Sequence, residues 1–208
     1  MLGRSLDAGV EAGWVAADSA YGRDGKFRAF LEARRLPYVV EVPVGQTVTD
    51  LDGRRRVETF VGRAPAEAWH QISAGPGVRG EREYDWAWAT LPSFGDVPVG
   101  YVRTLLARRS LDDPDDIAYY LCFHPATVER EQIVAVAAAR WAIEECFQAA
   151  KDQCGLDHYQ VRRYDSWYRH ITLAMLAHAF LAVTAATDPK AHAGWARSQS
   201  PTSAVSWR

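Results

Sequence analysis

The 208-residue sequence predicts an α/β fold, and three observations carry that expectation. Residues 14–42 read as strand, helix, strand with short connections, the pattern of a parallel pair. From Pro43 to about Phe123, short runs of β-formers alternate with glycine and proline. A long helix then opens near Thr127, and a second follows from about Asp165.

The first dozen residues read as the end of a helix broken by Gly9 and Gly13. Trp14-Val15-Ala16-Ala17-Asp18 is an apolar run tipped by a carboxylate, as in a buried strand. Asp24 caps a helix from Gly25 to about Arg35, whose Phe27, Phe30 and Leu31 share one face. Pro37 ends it, and Tyr38–Val42 forms the next strand. Further β-like runs cover Val57–Val61, Glu81–Thr90, Val99–Ala107 and Ile117–Phe123, with a short helix expected over Ala64–Gln71. Thr127 caps the long helix, Glu129 and Glu131 suit its first turn, and Gly155 stops it after Cys154. The expected organisation is a partial core over 1–43, a β-rich insertion over 44–125, C-terminal helices over 126–187 and a flexible tail over 188–208.

Composition excludes several classes. A hydrophobic fraction of 48% with 24% charged residues is that of a globular chain, neither disordered nor fibrous. The net charge of −2 lacks the strong basic balance common in nucleic-acid binders. Arginine clusters at 34–35, 54–56, 108–109 and 162–163 are solvated faces first and phosphate contacts second. Three cysteines without a C-x-x-C pair point to a reduced, cytoplasmic setting. The apolar stretch Ile171–Ala186 is shorter than the roughly 18–20 residues of a membrane span, so a buried helix and no membrane partner are expected.

The long helix carries the chemistry. Ile133–Ala139 is apolar all round, which predicts enclosure by protein. After it come Arg140, Glu144, Phe147 and Lys151, which at 100° per residue fall within a stripe roughly 60° wide. An ordinary Arg140–Glu144 pair explains two of them but leaves Lys151 without a reason. Asp18, at a strand tip, is a second candidate acid, since α/β sheets place their chemistry at such ends. Carboxylate oxygens suit Mg²⁺. A buried ion network without metal is the alternative.

These residues resemble a family. Arg140-Trp141-Ala142-Ile143-Glu144-Glu145-Cys146-Phe147 followed by Lys151 is similar to the Y-x2-R-x3-E-x6-K signature of DDE-superfamily transposases of bacterial insertion sequences. Trp14–Gly22 resembles their second-Asp strand, and Gly155–Arg162 the segment after their Glu helix. The resemblance implies an RNase H-like mixed sheet flanked by helices, with a β-rich insertion before the Glu-bearing helix. It further implies two Mg²⁺ or Mn²⁺ ions about 3.5–4 Å apart that drive phosphodiester cleavage and strand transfer. By carry-over Asp18 and Glu144 are catalytic metal ligands, Arg140 and Lys151 bind DNA phosphate, and the partners are transposon ends and target DNA, with a homodimer on DNA.

Two positions depart from the pattern. Ala137 stands where the signature has tyrosine, and no strand-tip Asp precedes Asp18, since Asp7 lies in a helical stretch. The expectation is therefore an N-terminally truncated catalytic domain, incomplete and inactive alone, with a non-catalytic DNA-binding remnant as the alternative. Trp86 and Trp88 point to one face of a strand, which if exposed would suit stacking on an unpaired base.

Overall fold

A computed structural model describes residues 2–77 and 80–187. The expected tail over 188–208 lies outside them. Helix α1 (Leu2–Asp7) leads to strand β1 (Val15–Ala17), the short helix α2 (Ser19–Gly22), helix α3 (Gly25–Ala33) and strand β2 (Tyr38–Val42). A hairpin of β3 (Thr47–Asp50) and β4 (Gly53–Arg56) precedes helix α4 (Val57–Val61) and a single 3-10 turn at Ala66–Ala68. Four long strands follow: β5 (His70–Gly77), β6 (Gly80–Leu91), β7 (Tyr101–Ser110) and β8 (Ile117–Pro125). Helices α5 (Arg130–Cys154) and α6 (Tyr164–Thr187) end the described chain.

The chain forms two compact units, Met1–Arg140 and Trp141–Arg208. In the first, one mixed six-stranded sheet runs β1-β2-β8-β7-β6-β5. β1 and β2 are parallel, with Val15 opposite Tyr38, as strand-helix-strand connectivity requires. Every other pairing in that sheet is antiparallel. Strands β5 to β8 of the 44–125 segment therefore continue the sheet that β1 and β2 begin, while β3 and β4 pair with each other in a separate two-stranded sheet.

Period-two alternation sorts side chains onto two faces. Tyr38, Val40 and Val42 of β2 join Leu105, Leu121 and Phe123 beneath Leu31 of α3 and Val57 and Val61 of α4. Val39, Trp86, Leu106, Tyr120 and Cys122 face the other way, onto Ile133, Val134 and Ala137 of α5. Helices thus cover both faces, which allows β2 and β8 to be apolar on both sides.

Four expectations change. Val57–Val61 is a helix, because burial of Val57 and Val61 follows the i,i+4 spacing of a helix face. The helix expected over Ala64–Gln71 shrinks to the 3-10 turn, and β5 begins at His70. Ile133–Ala139 is covered on one side only, with Ala135 and Ala139 exposed, since small alanines tolerate water without cost in helix propensity. Finally, α6 spans 24 residues, is by length and composition able to cross a membrane, and is mostly exposed rather than the buried helix expected over Ile171–Ala186.

The second unit is the C-terminal half of α5 with α6. Gly155 takes a left-handed φ of 61° and turns the chain, while the Leu156 amide donates to the Ala150 carbonyl. Ala150, Leu156 and Ala174 form its small core, and His170 Nε2 lies 2.9 Å from the Gly155 carbonyl.

Candidate active site

β1 ends at Ala17, so Asp18 stands at the carboxyl tip of a parallel strand. Its extended backbone (φ −77°, ψ 179°) makes it the N-cap of α2. Oδ1 accepts from the amides of Ala20 at 3.0 Å and Tyr21 at 3.3 Å. The residue is exposed, and Oδ2 takes no part in the cap. One carboxylate oxygen is thus structural and the other is available.

The Tyr21-Gly22 turn has a steric reason. Gly22 is buried, and a Cβ there would lie 1.8 Å from the Glu41 carbonyl oxygen. Only glycine lets α2 approach β2 this closely, and that approach sets where Asp18 sits.

Glu41 is a partner of the candidate residue Arg140 that sequence reasoning missed. It alternates to the same face of β2 as Val39. There its Oε2 meets an Arg140 guanidinium nitrogen at 3.3 Å, with about 28% and 29% of the two side chains exposed. Arg140 follows Ala137 by one turn, so burial of Ala137 brings it over the end of β2. The signal available in the sequence was the lone acid in Tyr38-Val39-Val40-Glu41-Val42.

In the second unit Glu144, Phe147 and Lys151 are exposed along α5. The stripe is therefore not a wholly buried ion network, since Glu144 and Lys151 face solvent while Arg140 is half-buried.

Trp86 corrects another expectation. It is 1% exposed and its indole N–H donates to the Ile72 carbonyl at 3.1 Å, so it is a core residue closed to bases. Trp88 is half-buried; the His70 ring stacks on it at 4.8 Å and the Arg130 guanidinium lies 4.3 Å from its centroid. A cavity of about 210 Å³ opens beside it, lined by Thr104, His124, Arg130 and Ile133. His124 is buried at 3.0 Å from the Thr104 hydroxyl, its Nδ1 2.9 Å from the Pro125 carbonyl. The carbonyl can only accept, so Nδ1 carries the proton. Burial holds this imidazole below its ordinary value, which favours the neutral ring.

On the opposite face Glu32 gathers Arg103 and Tyr38. Its carboxylate accepts from Arg103 at 2.6 and 3.1 Å and from the Tyr38 hydroxyl at 2.7 Å, while Arg103 also donates to Asp96 at 2.6 Å. Burial, then the Glu32 charge, pushes the Tyr38 phenol up, so it remains a neutral donor. This cluster ties α3, β2 and β7 together beneath the other sheet face.

Taken singly, Asp18 and Glu144 each have the donor chemistry of a divalent-ion ligand. Asp18 offers an exposed, uncommitted carboxylate oxygen and Glu144 an exposed carboxylate, both hard donors of the kind Mg²⁺ takes. Among the described residues no three His, Cys, Asp or Glu side chains stand together as a metal nest.

Among curated proteins none matches the chain. A family model described as "Transposase DDE domain" matches residues 2–180, most of its length. The mixed sheet with helices on both faces agrees with the RNase H-like architecture, and the chain belongs to the DDE transposase family.

Proposed function

We propose that this chain engages transposon-end and target DNA in the cytoplasm as a transposase unit. Asp18 and Glu144 are its metal-holding carboxylates, Arg140 and Lys151 its phosphate-binding cations, and a homodimer its form on DNA. The observation that carries this is Asp18: an exposed carboxylate at the tip of a parallel strand, with one oxygen outside the cap, in a chain of this family.

Mg²⁺ or Mn²⁺, in the family's two-metal arrangement, supplies Lewis-acid activation of water or a 3′-hydroxyl towards a phosphodiester. The chain's own residues do the rest. Asp18 keeps Oδ2 oriented because Oδ1 is fixed by two amides. Arg140, anchored by Glu41, presents a planar guanidinium matched to a phosphate. Lys151 adds a point charge on a flexible stem. Trp88 is the candidate for base stacking, in competition with His70 and Arg130 for its ring.

On this reading the chain alone binds DNA and does not cut it. Fluorescence anisotropy with an insertion-sequence-end duplex, paired with a Mn²⁺ nicking assay, tests both parts. The expected result is salt-sensitive binding that weakens on Arg140→Ala and Lys151→Ala, without nicking. Absence of binding at low salt refutes the DNA role, and Mn²⁺-dependent nicking refutes the inactivity.

A further inference from the structure

The second unit holds a pair of groups that transposition chemistry does not use. Cys146 on α5 is exposed, and its Sγ lies 3.2 Å from Nε2 of His178 on α6. The thiol and the imidazole belong to residues 32 positions apart in sequence, one on each helix. The α5–α6 turn at Gly155 makes them neighbours. A thiol in hydrogen-bond contact with an imidazole nitrogen is the geometry of an activated nucleophile. The other two thiols differ. Cys122 is fully buried and burial pushes its thiol up, while Cys154 is half-buried beside the Ala150–Leu156–Ala174 core.

We propose that Cys146 is a modification site for small peroxides, with His178 as its general base. His178 Nε2 takes the thiol proton as the sulfur attacks one peroxide oxygen. The O–O bond breaks, and the leaving hydroxide takes the proton from Nε2 as water. Sulfur is oxidised to a sulfenic acid and hydrogen peroxide is reduced to water, so no further reactant is needed. The new S–OH replaces the thiol at the contact between the two helices, where it can hold or push apart the hairpin that also carries Glu144 and Lys151.

The test is site-resolved mass spectrometry of the full chain, treated with dilute hydrogen peroxide and a dimedone trap. Cys146 is expected to react faster than Cys154, and His178→Gln to slow Cys146 by about a hundred-fold, the low end of what a positioned general base contributes. Cys154 then keeps its wild-type rate and serves as an internal control. Equal labelling of Cys146 and Cys154 in the wild-type chain overturns the proposal without any variant. So does an unchanged Cys146 rate in His178→Gln with its helical circular dichroism intact.

Discussion

Gly22→Ala is a one-methyl perturbation with a large expected effect. The added Cβ would start 1.8 Å from the Glu41 carbonyl oxygen and 2.9 Å from its carbonyl carbon, whereas real contacts lie beyond 3.0 Å. The obstacle is β2 backbone, held by ladder bonds to β8, so no side chain can rotate away. Overpacking of this kind costs about 1–3 kcal/mol, and a backbone obstacle belongs at the upper end, about 3 kcal/mol. A second effect follows from the cap. Relief requires α2 to move off β2, and Asp18 moves with it because its Oδ1 is bonded to the Ala20 and Tyr21 amides. Urea unfolding followed by tryptophan fluorescence measures the first effect. Metal binding at a urea concentration where the variant remains folded measures the second. A loss below about 1 kcal/mol, or undisturbed metal binding in a destabilised variant, would refute the steric argument.

Other changes separate scaffold from site. Glu32→Ala removes the partner of a part-buried Arg103 and the acceptor for Tyr38, though Asp96 still faces the guanidinium. Discounting the buried-pair cost for that exposure leaves about 2 kcal/mol in urea unfolding. Trp86→Ala opens the core under α5 and should cost about 3–5 kcal/mol. Trp88→Ala should leave the fold intact, and it weakens binding of end DNA carrying an unpaired base by about 1–3 kcal/mol if Trp88 stacks on that base. Anisotropy with paired and unpaired duplexes decides it. Stability should also fall on acidification. The folded His124 imidazole titrates below the ordinary value of 6.5. The unfolded chain therefore takes up its proton first, and stability declines as pH drops through 6.5 until the folded ring protonates. Melting curves at pH 7.5 and 5.5 should show this slope reduced in His124→Gln.

Much of the scaffold was legible because it rests on local rules. The Asp24 cap, the Phe27–Phe30–Leu31 face and the apolar run of β2 each carry a short-range pattern, and each stands where expected. The parallel pairing of β1 and β2 followed from the short connection through α3. Val57–Val61 misled because β-branched residues favour strands, while tertiary burial of two valines one turn apart favours a helix. β5 was hidden by Gly75 and Pro76, which interrupt its alternation around an irregular register.

The candidate site divides along the same line. Asp18 was legible as an acid ending an apolar run, and Arg140 as a charge beyond an apolar helix segment. Their neighbours were not, because Glu41 meets Arg140 only after β2 and α5 stack on one sheet face. Trp86 and Trp88 share a strand face, and alternation alone cannot tell that one lies under α5 and the other beside a cavity. His124 was passed over for a similar reason: its Thr104 partner lies on the neighbouring strand, 20 residues away.

The most direct measurement replaces Mg²⁺ by Fe²⁺ and maps where ascorbate-driven hydroxyl radicals cut the polypeptide. If Asp18 and Glu144 hold the same ions, cuts appear at the end of β1 and within α5 around residue 144, and Asp18→Asn, which preserves the cap, abolishes both. Cuts at only one of these segments, or a pattern that survives Asp18→Asn, would contradict the assignment.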